Sequence, residues 1–238
     1  MDARFNIVIL TGAGISAESG LATFRGPDGL WEGHRVEDVC TPQALARDPG
    51  LVLDFYDRRR RALADVRPNA AHAALARLDR SWPGGLLIVT QNVDDLHERA
   101  GAKRLIHMHG ELLSALCQAC GARSRFEGDM IGGPACPSCG APGALRPDIV
   151  FFGETPYRMD AIQGALAQAD LFVSIGTSGT VYPAAGFVQL ANAAGADTLE
   201  LNLEPSAGMA GGYGFAATSF GPATSLVPAW VDRLLAHR

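Results

Sequence analysis

The sequence runs to 238 residues, room for one large domain or one domain carrying a smaller module. Hydrophobic residues make up 47% and charged residues 19%, a globular balance that excludes a disordered chain. The net charge of −5, with a pI near 5.6, argues against a nucleic-acid partner, which usually meets a basic face.

MDARFNIVIL enters an apolar run by residue 5 without the charged region and small-residue cleavage site of a secretory leader, so a cytoplasmic protein is expected. FNIVILT (5–11) is a branched apolar run that meets Gly12, the pattern of a buried strand ending in a glycine turn. Residues 49–66 show helical spacing through Leu51, Leu53, Phe55, Tyr56, Leu63 and Val66. Asn69 can cap a second helix, AAHAALARL, before Pro83-Gly84-Gly85 breaks the chain. GLLIVT (85–90) and LIHMH, which closes at His109 before Gly110, read as further strands. DIVFF (148–152) reads as a strand, 159–168 as a helix, LFVSIGT (171–177) as a strand, and Pro183 to Ala194 as a helix. TLELN (198–202) is another strand, 205–222 a loop with one short strand, and SLVPAWVDRLLAH (225–237) the last helix. Leu171 to Ala196 holds no Asp, Glu, Lys or Arg, yet its hydroxyl residues and glycines fit strand, polar loop and buried helix; no membrane span is expected. Strands alternating with helices predict an α/β fold: a parallel Rossmann-like sheet covered on both faces, with ligands beyond the strands' carboxyl ends.

Cys117, Cys120, Cys136 and Cys139 gather four of the five cysteines into C-x2-C-x15-C-x2-C. That spacing predicts one structural Zn2+ held by four thiolates with no open position; two disulfides or an iron–sulfur centre are the alternatives. The segment between the pairs is too short and polar for a core of its own, so metal binding would supply its folding energy. Cys40 is left as a small core or pocket residue.

In TGAGISAESGLATFRGPDGLW (11–31), Gly12, Gly14 and Ala17 match G-x-G-x-x-G/A, a loop that lets backbone amides approach a pyrophosphate. The acidic residue that a hydride-transferring enzyme needs about twenty positions on, after a second strand, has no counterpart in RGPDGLWEGHRVEDV. Gln91, Asn92 and Asp94 cluster after a strand, as turn residues also do. His107 and His109 share one side of a strand, and spacing alone does not choose between them. Tyr56 and Arg59 share one side of a helix within FYDRRRRAL, although arginine runs are usually solvated.

GAGIS-x-ESG-x-x-x-FRG, TQNVDDLH (90–97), HMHGEL (107–112), the paired CxxC, RPDIVFFGE (146–154), GTS (176–178) and NLEPS (202–206) occur in the order seen in sirtuins. On these motifs nearly the whole chain, residues 5 to 235, resembles that family of NAD-dependent protein-lysine deacylases. The resemblance implies a single catalytic domain over 1–238. Its large NAD-binding lobe would take 1–30, 68–110 and 146–238; its small lobe would take a helical segment, 31–67, and a zinc ribbon, 111–145. NAD as co-substrate would meet Gly12, Ala13, Gly14, Ser16, Ala17, Glu18, Thr23, Phe24, Arg25 and Trp31 from the first loop. It would also meet Gln91, Asn92, Val93 and Asp94 around the nicotinamide ribose, with Gly176, Thr177, Ser178, Asn202, Leu203, Glu204 and Ala223 on the adenosine side. His109, immediately before the glycine, is the implied general base, with Asn92 beside it in the catalytic set.

The implied reaction is not redox. An acyl-lysine oxygen attacks C1′ of the nicotinamide ribose, nicotinamide leaves, and His109 takes a proton from a ribose hydroxyl that attacks the resulting imidate. Products are lysine, nicotinamide and O-acyl-ADP-ribose. Val150, Phe151, Phe152, Gly153 and Glu154 resemble the strand that pairs with an extended substrate peptide. One sirtuin class uses Tyr-x-x-Arg, here Tyr56 and Arg59, to hold negatively charged acyl groups. That class carries a small residue, typically Ala, before Thr-Pro, where this sequence has Cys40, and TFR (23–25) also matches it. Desuccinylation and demalonylation are therefore expected, with some deacetylation. ADP-ribosyl transfer or NAD hydrolysis on the same fold, and a non-catalytic zinc-ribbon module, are the competing readings. The expected partners are acyl-lysine proteins or peptides, with no nucleic acid and no membrane, and the chain is compact enough to act as a monomer.

Overall fold

Ile7–Thr11, the first strand (β1), reads IVILT and is buried along its whole length, as a central strand covered on both faces must be. The structure is a computed structural model that describes residues 5–22, 31, 33–206 and 214–236. After β1 come α1 (Gly14–Ala17), α2 (Val36–Val39), α3 (Pro42–Arg47), α4 (Pro49–Leu63) and α5 (Ala70–Ser81). Next are β2 (Leu86–Thr90), α6 (Leu96–Ala100), β3 (Leu105–His107), β4 (Gly110–Cys117), β5 (Arg123–Arg125) and β6 (Leu145–Ile149). The chain closes with α7 (Met159–Leu166), β7 (Leu171–Ile175), α8 (Phe187–Ala193), β8 (Asp197–Asn202), β9 (Ala217–Phe220) and α9 (Ala223–Ala236).

Six strands pair in parallel in the order β3-β2-β1-β7-β8-β9. The order reverses between β1 and β7, so the loops leaving those two strands diverge and open a crevice at their carboxyl ends. Strand alternation splits β1 between two cores. Ile7 and Ile9 join Leu75, Leu78, Val227 and Trp230 of α5 and α9, while Val8 and Leu10 join Ile162, Leu166, Phe187 and Val188 of α7 and α8. Caps set the helix starts. Asn69 accepts from the Ala71 and His72 amides at α5, and Asp48 accepts from Leu51 with Pro49 at the first turn of α4.

A second sheet, β5-β4-β6, is antiparallel. With α2, α3 and α4 it encloses a third core of Trp31, Val39, Cys40, Phe55, Tyr56, Leu112, Ile149 and Phe151. The expected strand over 148–152 is therefore corrected: β6 ends at Ile149 and pairs antiparallel with β4. Ile149 and Phe151 are apolar because they enter this third core, not because they extend a parallel strand. Likewise β3 stops at His107, and Met108 and His109 turn the chain out of the large sheet into β4 of the small one. Gly110 makes that crossing at φ +84°, where an added Cβ would lie 2.0 Å from the Asp148 carbonyl oxygen. The helix expected over 49–66 stops at Leu63, and that over 183–194 is a 3-10 turn, Ala184–Gly186, followed by α8. No helix among the described residues is long and apolar enough to cross a membrane.

Candidate active site

The crevice between β1 and β7 deepens into a cavity of about 960 Å3 that extends between the two sheets. Its wall includes Gly12, Ala13, Gly14, Ser16, Ala17 and Glu18 after β1, and Gln91 to Asp94 after β2. His109, Val150 to Glu154, Gly176 to Ser178, Asn202 to Glu204, Ala223, Trp31 and Arg59 complete the set of sequence-predicted residues brought to it. Tyr56 stands behind this wall, and Thr23, Phe24 and Arg25 lie outside the described residues. Sequence reasoning missed Leu21, Ala22, Leu63, Leu112, Tyr182 and Pro222, which share the wall but carry no motif chemistry.

The glycines of the first loop are required by a backbone crossing. A Cβ on Gly14 would sit 2.7 Å from the Gly176 Cα, and Gly14 N donates to the Gly176 carbonyl at 2.8 Å. The helix that follows, α1, is a single turn, so it offers less of a dipole than the fingerprint implied. Glu18, exposed in the cavity wall, caps the start of α9, accepting from Thr224 N at 3.0 Å and Thr224 Oγ1 at 2.7 Å.

Asn92, Ser16 and Asp94 form a buried chain. Asn92 Nδ2 donates to Ser16 Oγ at 3.1 Å and to the Gly12 carbonyl at 3.2 Å, and Ser16 Oγ donates to Asp94 Oδ2 at 3.0 Å. Burial pushes the Asp94 carboxyl above its usual range. Two histidines not singled out as site residues, His72 and His97, pack beside this chain. His72 Nε2 lies 3.4 Å from Ser16 Oγ, and His97 Nε2 lies 3.0 Å from Thr11 Oγ1, with the two rings 5.0 Å apart. Burial drops His72 to a pKa of about 4 and holds His97 well below the ordinary value, so both rings are neutral near pH 7. His72 is a lone His on a helix in the sequence, while His97 closes the motif TQNVDDLH, which was a signal that could have found it.

His107 and His109 differ in their partners. His107 has Nδ1 3.0 Å from the Asn92 carbonyl and Nε2 2.6 Å from Glu98 Oε1, so both nitrogens are taken. Its pKa is raised: burial works downward, and the Glu98 pair outweighs it. Glu111 also approaches this pair. His109 lines the cavity, and its Nδ1 donates to the Gln91 carbonyl at 3.1 Å, which leaves Nε2 as the basic atom. Burial lowers its pKa below 6.5, so the ring is a neutral acceptor at pH 7.

Arg59 forms part of the wall, its guanidinium 4.3 Å from the Trp31 ring centroid, a cation–π contact. Tyr56 is wholly buried and stacks on Phe151 at 5.9 Å; its hydroxyl lies beside the Cys40 thiol without a hydrogen-bond partner. Val150 to Glu154 is a turn rather than a strand. The amides of Val150, Phe151, Phe152 and Glu154 already donate to His109 O, Glu154 Oε2, Cys40 O and Phe151 O. A peptide added here therefore has few main-chain donors left to pair with. Arg146 fixes the turn by a bidentate pair to Glu154, both contacts 2.8 Å.

The four ribbon sulfurs converge. All lie within 4.8 Å of one another, with Cys117–Cys139 at 3.8 Å and Cys120–Cys136 at 3.9 Å. Disulfides need about 2.05 Å and are excluded; a tetrahedral zinc with bonds of about 2.3 Å sets its sulfurs roughly 3.8 Å apart. Each CxxC closes with a glycine in the left-handed region, Gly121 and Gly140, whose amides donate to Cys117 O and Cys136 O. The donor set fits a closed structural zinc.

A family model described as the Sir2 family matches residues 12–183. The NAD-dependent protein deacylase of Vibrio vulnificus (strain YJ016) is 56% identical over 234 residues, covering 98% of this chain and 94% of the relative. The NAD-dependent protein deacylase SIR2rp3 of Trypanosoma brucei brucei (strain 927/4 GUTat10.1) is 55% identical, covering 96% and 94%. A solved Sir2 homologue–NAD complex superposes with a TM-score of 0.86 at 36% identity, covering 98% of this chain and 90% of that one. A Sir2–p53 peptide–NAD+ complex gives 0.78 at 28% identity, with 98% and 92% covered.

Proposed function

This chain belongs to the Sir2 family, and from that membership we propose that it removes succinyl and malonyl as well as acetyl groups from protein lysines. It is an NAD-dependent protein deacylase, with NAD as co-substrate and the four-thiolate zinc as scaffold. The observation that carries the acyl assignment is one cavity whose wall holds both His109 and the Arg59 cation.

In this reading NAD lies along the glycine loop with its nicotinamide ribose toward Ser16, Gln91, Asn92 and Asp94. The acyl-lysine carbonyl oxygen bonds to C1′ as the bond to nicotinamide breaks, and nicotinamide departs with the electron pair. His109 Nε2 then accepts the proton of a ribose hydroxyl, whose oxygen attacks the imidate carbon. Water completes the transfer, releasing the lysine amine and O-acyl-ADP-ribose. Fixing the Nδ1 proton on the Gln91 carbonyl supports this role, because it presents the lone pair at Nε2.

A terminal carboxylate on the acyl chain would meet the Arg59 guanidinium in the cavity wall; Tyr56, buried behind that wall, would have to turn its hydroxyl inward to add a further hydrogen bond. Acetyl reaches neither. The test is purified protein with NAD and matched acetyl-, malonyl- and succinyl-lysine peptides, following nicotinamide release and peptide mass. Arg59→Met is expected to lower desuccinylation about thirtyfold or more, from the roughly 2–5 kcal/mol of a desolvated charge pair, and to spare deacetylation. Equal loss of both activities removes the acyl assignment; ADP-ribosylated protein in place of O-acyl-ADP-ribose removes deacylation itself.

A further inference from the structure

The run Arg58 to Arg61 has four separate fates. Arg58 pairs with Asp54 and Arg61 with Asp129, both on the surface, while Arg59 enters the cavity wall. Arg60 turns inward, with its side chain only 1% exposed, to meet Asp57, which is fully buried. We propose that the Asp57–Arg60 pair is a positioning device that makes the acyl selectivity of Arg59 depend on the zinc ribbon; this rests on the acyl assignment above.

Asp57 and Arg60 each follow by one position a residue on the other face of α4, Tyr56 behind the cavity wall and Arg59 in it, so they face about 100° around the helix from it. The Asp57 carboxylate accepts from Arg60 Nη1 at 2.6 Å, from Met130 N at 2.9 Å and from Ile131 N at 2.9 Å. Arg60 Nε donates to the Leu112 carbonyl at 2.9 Å and Nη1 to the Gly128 carbonyl at 3.0 Å. Its guanidinium also lies 5.7 Å from the Phe126 ring. Phe126 to Ile131 lie between the two CxxC pairs, and Leu112 sits on β4, which ends in Cys117. One face of α4 is thus bonded to the metal-bearing ribbon while the adjacent face presents the cation to substrate.

A buried ion pair of this kind is a poor source of stability compared with apolar groups of the same shape, but it fixes register. Register is what a guanidinium fork needs, since recognition of a planar carboxylate demands placement within about 0.5 Å. Acetyl-lysine makes no such demand. Loosening α4 on the ribbon therefore penalises succinyl binding selectively, and by linkage an occupied acyl site holds the ribbon, and its metal, more tightly.

The test uses full-length zinc-loaded protein. In Asp57→Asn, which is isosteric but leaves Arg60 without its counter-charge, KM for a succinyl-lysine peptide should rise roughly tenfold with kcat nearly unchanged. KM for the acetyl-lysine peptide should move less than about twofold. Arg60→Lys, which keeps the charge but cannot span both carbonyls, should fall between, and it serves as the primary variant if Asp57→Asn does not fold. The second readout is zinc transfer to a chromogenic chelator. In the wild type, saturating succinyl-lysine peptide without NAD should slow release about fivefold, acetyl-lysine peptide should not, and Arg60→Lys should abolish the difference. Parallel loss of both deacylations, or zinc release indifferent to the succinyl peptide, overturns the inference. A wild type that never accepts succinyl-lysine is a different failure, because it removes the acyl assignment and this inference with it.

Discussion

His109 and His107 differ by their partners, and that difference has a kinetic consequence. His107 is paired with Glu98, whereas His109 bonds the Gln91 carbonyl through Nδ1, which leaves Nε2 open to the base role proposed for it, and burial holds its pKa below 6.5. The acid limb of deacylation kcat/KM should therefore have its half-point below pH 6.5, as the ring protonates; His109→Asn should remove the turnover along with this limb. A profile that breaks above pH 7 would contradict the assignment. Stability has its own acid limb. His72 titrates near 4 when folded and near 6.5 when unfolded, so between those values the unfolded chain binds more protons and stability falls with acidification. The full span is worth about 3 kcal/mol, with His97 acting in the same direction. His107, whose pKa is raised, opposes it by adding stability below 6.5 that is lost as pH rises through its folded value. Urea unfolding from pH 7.5 to 4 should show a shallower loss in His72→Gln than in the wild type. The burial of His72 and His97 was not legible in the sequence, because it is set by contacts with Ser16 and Thr11, dozens of residues away. That His109 and Asn92 come to one cavity and the four cysteines to one cluster was legible, since the motifs that carry them are local in the chain.

At the level of elements, apolar period and caps located five of the six parallel strands and the long helices, because each needs only local pattern and a buried face. The apolar run Ile149–Phe152 misled for the same reason: its burial comes from α4 packing across it, which no local period encodes. Glycines separate two kinds of element constraint, and paired substitutions measure both. Gly14→Ala places a methyl 2.7 Å from the Gly176 Cα, where neither backbone can yield. It should cost about 1–3 kcal/mol as an overpacked site and weaken NAD binding by spreading the two loops. Gly164, inside α7, has nothing within 4 Å of an added Cβ. Gly164→Ala should stabilise by about 0.5–1 kcal/mol and leave NAD affinity unchanged. Denaturant midpoints and NAD titrations on the two proteins decide the matter; a neutral Gly14→Ala would show that the loop crossing is slack.

Across the whole molecule the two sheets stand on different foundations. The parallel sheet is sandwiched by two apolar cores, built by α5 and α9 on one face and α7 and α8 on the other. The antiparallel sheet has one small cluster of its own, Ala115, Cys117, Met130, Cys136 and Leu145, two of whose members are metal thiols. It is joined to the rest through Leu112, Ile149 and Phe151 in the third core. A lobe with so small a core of its own gains folding free energy from a metal held by the four thiolates. Chelation should then unfold the molecule in parts rather than as one unit. Hydrogen exchange should accelerate across 111–149 and spread into 36–63, while 86–90 and 171–175 stay protected. Deacylation should be lost with the ribbon, because His109 sits in the turn between β3 and β4 and depends on Gly110 against Asp148 for its placement. Restoring zinc should return both protection and turnover. Uniform loss of protection in both sheets would mean instead that the lobes fold as a single cooperative body, and the scaffold role assigned to the metal would extend to the entire chain.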